Sequence, residues 1–92
     1  MASYNLQKPS DRARYRADFQ AELDAALDGT WPRDLNDQMR WANLPTDRYS
    51  QEETLLKQRE YVARLCRAEI AYIDDLTQRV ASGVAPTGYE RA

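Results

Sequence analysis

The chain has 92 residues with 13 basic and 15 acidic side chains, a net charge of −2, no histidine and one cysteine. That length holds one domain at most, and the charge balance excludes both a strongly basic nucleic-acid binder and an acidic polyelectrolyte. A hydrophobic content of 42% supports a folded core, and only three glycines and four prolines favour a few long elements.

Residues 1–9 carry no hydrophobic periodicity and read as an N-terminal tail. Ser10 suits an N-cap, and nothing breaks a helix over 11–28 before Gly29 offers a left-handed stop. Tyr15, Phe19, Leu23, Ala26 and Leu27 recur at three- and four-residue steps and define its apolar face. Ala17, Ala21 and Ala25 line another face, a smooth strip on which a second helix could approach closely. A short helix over about 32–42 follows, with Pro32 in its first position and Leu35, Met39 and Ala42 repeating at helical spacing. Asn43 and Pro45 end it.

Ser50-Gln51-Glu52-Glu53 is a capping box that opens a long helix over 51–82, with Gly83 as its stop. Leu55, Val62, Cys66, Ile73 and Val80 form its stripe, flanked by Leu65, Ile70, Tyr72 and Leu76. Arg59 and Glu69 interrupt that stripe. Residues 84–92 are a C-terminal tail, leaving 10–83 as a single helical domain.

The first helix carries its charges against its own dipole. Arg12, Arg14 and Arg16 lie in its N-terminal half, and Asp18, Glu22, Asp24 and Asp28 in its C-terminal half. A local rule broken this consistently points to partners outside the helix. The long helix holds Lys57, Arg59, Arg64 and Arg67 early and Asp74 and Asp75 late, so antiparallel packing matches the two. The expected fold is all-α: an antiparallel pair of long helices, a short bridging helix and extended tails.

The inventory narrows function. Without histidine the usual general base is missing, as are Ser–His and Cys–His pairs, Cys/His zinc sites and histidine-ligated haem. Gly29, Gly83 and Gly88 are too scattered for a phosphate loop. The chain is expected not to be an enzyme and to use no cofactor or metal. Asp34 with Asp37, or Asp74 with Asp75, could serve carboxylate chemistry, but solvated acidic faces are the simpler reading. Cys66 has no disulfide partner and sits in an apolar stripe, which suits a buried residue in a reducing compartment. The sequence MASYNLQKPSDRAR lacks the apolar core of a signal peptide, and no apolar run approaches the ~18 residues that span a membrane. A cytoplasmic location, or incorporation into an assembly formed there, is expected.

The aromatic residues carry the functional expectation. Trp31, Met39, Trp41 and Tyr49 cluster around the short helix, and Tyr4 and Tyr89 lie in the tails; tryptophan and tyrosine dominate interface hot spots. They mark a protein-binding module acting as an accessory, adaptor or inhibitory subunit of a larger assembly. A virion component or a phage-type inhibitor of a host complex fits the size and tail pattern. The competing use of the two tryptophans is to plug the open end of the hairpin. A projecting apolar stripe on the long helix also favours self-association. The alternative is a nucleic-acid-associated regulator that contacts phosphates through Arg12, Arg14 and Arg16 at a helix N-terminus.

Overall fold

The computed structural model describes residues 4–41 and 51–83. It is all-α, with α1 at Pro9–Asp28, α2 at Leu35–Arg40 and α3 at Gln51–Ala81. The two long helices pack antiparallel along a rod of 50 × 21 × 20 Å.

Each boundary has a local cause. Helix α1 begins two residues before the expected start, with Lys8 at the N-cap and Pro9 at the first helical position. Proline's fixed φ favours that place, where its missing N–H costs nothing. Ser10 is therefore inside the helix and caps nothing. At the other end Gly29 adopts φ 84°, and the N–H groups of Gly29, Thr30 and Trp31 all donate to the carbonyl of Ala25. Asp28 accepts from both the backbone and the hydroxyl of Thr30 at 2.9 and 2.6 Å, which accounts for an acidic residue at a helix C-terminus.

Helix α2 is shorter than expected. Its cap is Asp34, whose carboxylate accepts from the Asp37 N–H, so Pro32 precedes the helix instead of opening it. Its last residue is Arg40, and the capping residue Ser50 of the expected box lies outside the described residues. Helix α3 ends at Ala81, with Gly83 at φ 90°.

The core has two parts. One joins Leu23, Ala25, Ala26 and Trp31 to Val62, Ala63, Cys66 and Ile70; the other joins Tyr4, Leu6 and Tyr15 to Ile73 and Leu76. Val62, Cys66, Ile70, Ile73 and Leu76 of α3 advance by three and four residues, with Ala63 beside Val62, a continuous stripe facing α1. Ala17 and Ala21 are exposed and only Ala25 of that strip is buried, so α3 seats on the Tyr15–Phe19–Leu23–Ala26 face and not on the alanines. Leu27, expected in the apolar face, is 59% exposed.

The N-terminal segment is the main departure. Residues 4–8 are no free tail: Tyr4 and Leu6 are buried in the second core. Polar contacts hold this turn, because the Arg12 guanidinium donates to the Leu6 carbonyl at 2.9 Å and the Asn5 N–H donates to Asp11 at 2.8 Å. The Tyr4 hydroxyl donates to Asp18 at 2.5 Å, and its ring meets Tyr15 edge-on at 4.9 Å.

Charges set the antiparallel register. Arg16 pairs with Asp74 at 2.8 Å across the helices, while Asp75 pairs with Arg79 on α3 itself. Both pairs are about half exposed and orient more than they stabilise. Glu69 sits at the stripe's edge and accepts the Tyr15 hydroxyl. Arg59, at the other end, donates to the Trp31 carbonyl at 2.7 Å. At about 1.5 Å per residue, α3 runs roughly 46 Å against roughly 30 Å for α1, so about two turns of α3 reach past the Gly29 turn.

Candidate interaction surface

A chain this small buries most of its apolar side chains between two helices, so those left in water are the ones to explain. Among the described residues, four large hydrophobic side chains are exposed: Leu27 at 59%, Leu35 at 67%, Met39 at 68% and Leu56 at 56%. Leu27 closes α1 and Leu56 lies in the first turns of α3, so antiparallel packing puts both at the Gly29 end. Leu35 and Met39 are one helical turn apart on α2, which lies back along that same half of α1. The opposite end, built on Tyr4, Leu6, Ile73 and Leu76, has no exposed counterpart among the described residues.

Helix α2 is assembled almost entirely from its own residues. Arg33 meets Asp37 in a two-pronged pair at 2.9 and 3.0 Å, and its backbone N–H donates to the same carboxylate at 2.9 Å. This partner holds the Asp37 carboxyl well below the usual range and raises the Arg33 guanidinium further. No Cα of α2 comes within 8 Å of a Cα of either long helix.

The link to α1 is ionic. Glu22, 1% exposed, accepts from Arg33 at 3.1 Å on one oxygen and from Arg40 at 3.1 Å on the other. Arg40 also lies over the Phe19 ring, 5.3 Å from its centroid, and beside the Tyr4 phenol. Burial, then the neighbouring Asp37 carboxylate, push the Glu22 carboxyl above its ordinary value. The buried Trp41 indole N–H lies close enough to favour the charged form of Glu22, without reaching hydrogen-bonding geometry. Between α1 and α2 remains a cleft of about 480 Å³, floored by Ala21 and Glu22 and walled by Arg33, Asp37, Met39 and Arg40.

The expected site residues separate. Met39 is in the open. Trp31 is buried at 4% exposure and Trp41 packs half-buried against the same core, so the tryptophans plug the hairpin end and Trp31 offers no contact surface. Tyr4 is likewise a core residue. Tyr49 and Tyr89 lie outside the described residues. The basic cluster is dispersed: Arg12 is buried against the Leu6 carbonyl, Arg14 lies over the Tyr4 ring and near Asp11, and Arg16 is engaged by Asp74. Those arginines therefore do not present a shared phosphate-facing surface. The Asp34–Asp37 and Asp74–Asp75 pairs are spent on a cap and on arginines.

Glu22, Arg33 and Arg40 were not singled out as a group by the sequence. The one legible signal is local: Asp34 and Asp37 at cap spacing and Arg33–Asp37 at four residues. Nothing in the sequence marks Glu22 as the buried member of its helix. Among the described residues no helix is long and apolar enough to cross a membrane. No protein-family model matches the chain, and no curated protein or solved structure shows significant similarity to it.

Proposed function

We infer that this chain is a helical protein-binding module, an accessory or adaptor subunit that engages a larger assembly through the half of the rod that carries the Gly29 turn. The observation that carries the reading is the exposure of Leu27, Leu35, Met39 and Leu56, all of which fall in the half of the rod that holds the Gly29 turn. Leaving four aliphatic side chains in water forgoes burial worth about 1.5–3 kcal/mol each, an arrangement that association recovers. Leu35 and Met39 form the centre of the contact. They stand on a helix held off the hairpin body, where a partner can close around them. Met39 adds an unbranched, adaptable side chain suited to irregular apolar surfaces.

The partner is a protein with a complementary apolar groove or helix face. A second copy of this chain is the other occupant with the required chemistry, and sedimentation at several concentrations separates the two. The test is the double variant Leu35→Ser with Met39→Ser. Tagged wild-type chain retains a stoichiometric protein from its source cells after a moderate-salt wash, and the double variant loses it while keeping its helicity. Equal retention by both, or recovery of salt-released nucleic acid alone, overturns the reading.

A further inference from the structure

We propose that the cleft between α1 and α2 receives a basic side chain of the partner protein, whose contact surface is therefore apolar with a lysine or arginine beside it. The inference rests on the reading of Leu35 and Met39 as the centre of the docking surface, and adds the charge of what docks there.

Three observations carry it. First, charge is unevenly divided along the chain. Residues 17–41, which hold the second half of α1, the Gly29 turn and α2, carry six carboxylates against two arginines. That stretch is net −4 in a chain of net −2, so the remainder is net positive. The exposed Leu27, Leu35 and Met39 all belong to the acidic stretch.

Second, the imbalance persists inside the cleft once its own pairs are counted. Arg33 and Arg40 are both directed at Glu22 and Asp37, the two buried carboxylates, and balance them. Asp18 on the α1 wall and Asp34 on the α2 wall are left over. Each meets a neutral donor, the Tyr4 hydroxyl for Asp18 and the Asp37 N–H for Asp34, and neither forms an ion pair among the described residues.

Third, the lining suits a long side chain with a charged end. The cleft has a volume of about 480 Å³, with Ala21 on its floor and the exposed Met39 on its wall. A lysine or arginine entering here lays its methylenes along those two residues and carries its charge to the two carboxylates. An acidic side chain in the same place meets a net charge of −2 and is rejected.

The experiment uses the intact, isotope-labelled chain at low salt, titrated with butylguanidinium and with its neutral isostere butylurea while backbone amide shifts are followed. Butylguanidinium should give saturable shifts centred on Ala21, Asn36 and Met39, and butylurea should not saturate over the same range. Asp18→Asn keeps an acceptor for the Tyr4 hydroxyl and removes the charge, so guanidinium affinity should fall about threefold. Asn36→Asp, at an exposed position of the lining, should raise it by a similar factor. Equal responses to the two compounds, shifts centred away from the cleft, or an affinity unmoved by both variants would overturn the proposal. Leu35 does not line the cleft. Leu35→Ser should therefore reduce partner retention and leave the guanidinium titration unchanged, so failure of the cleft and failure of the docking surface are read separately.

Discussion

Leu6→Ala tests whether the N-terminal segment is part of the fold. Leu6 is 0% exposed and packs with Tyr4, Tyr15, Ile73 and Leu76. The substitution removes the side-chain carbons beyond Cβ; at about 0.8 kcal/mol each, three buried carbons are worth about 2.4 kcal/mol. The residual cavity adds to this, and buried leucine truncations span about 2–5 kcal/mol. The cost is bounded from above by undocking. If residues 4–8 peel away, the loss cannot exceed what their docking contributes, and the exposed faces of Tyr15 and Ile73 enter that sum. About 3 kcal/mol is the expected loss against a total stability of roughly 5–14 kcal/mol for a chain of this length. Urea denaturation followed by circular dichroism measures it directly, and the thermal midpoint should fall by about 12 °C or more. A peeling segment announces itself by a reduced dependence of stability on urea, since less surface is left to expose. A change under about 0.5 kcal/mol, the range of exposed surface substitutions, would refute the docking of this segment.

Further outcomes follow from the same geometry. Ser10→Ala should leave stability nearly unchanged in the same urea titration, because Ser10 lies within α1; a loss of about 1 kcal/mol would restore it as the cap. Burial, with Glu22 next, pushes the Cys66 thiol up to about 12. Labelling of Cys66 by a thiol reagent should therefore follow the population of unfolded chain across a urea series, and fast labelling of the native chain would contradict its burial. The opposite shifts of Glu22 and Asp37 predict two opposing limbs in the dependence of stability on pH. Glu22 is raised from 4.5, so its contribution is present below that value and declines as pH rises through the folded-state value. Asp37 is lowered from 3.8, so its contribution is present above that value and declines as pH falls. Urea midpoints from about pH 2 to 8 should show the Glu22 limb and the onset of the Asp37 limb, with Glu22→Gln removing the upper and Asp37→Asn the lower.

The long helices were legible because each has a run free of glycine and proline, an apolar period of three to four, and a glycine stop. Their orientation was legible because Arg16 and Asp74 sit where only antiparallel packing lets them meet. The first helix's reversed charges were informative in one half: Arg16 meets Asp74 of α3 as antiparallel packing requires, whereas Asp18, Glu22 and Asp28, expected beside the early cations of α3, are engaged by Tyr4, by Arg33 and Arg40, and by Thr30. What stayed hidden was tertiary. Two isolated apolar residues, Tyr4 and Leu6, show no period in so short a segment, so their burial has no sequence signature. Trp31 and Trp41 looked equally suited to a surface or a plug, since either use satisfies a large aromatic ring. Leu35 and Met39 have the spacing of a core face, and only the separation of α2 from the hairpin puts them in water. Glu22 looked like one of several acidic residues on α1. Its role depends on two arginines that arrive from a helix folding back on it.

The claim that the Gly29 half of the rod engages a protein is tested most directly by placing a photo-activated cross-linking residue at position 35 in the intact chain and irradiating it in its source cells. The account predicts one dominant adduct with a partner protein, lost when the same residue is placed at exposed Gln78 on the other half of α3. Labelling that yields no protein adduct at position 35, or the same adducts from both positions, would contradict it.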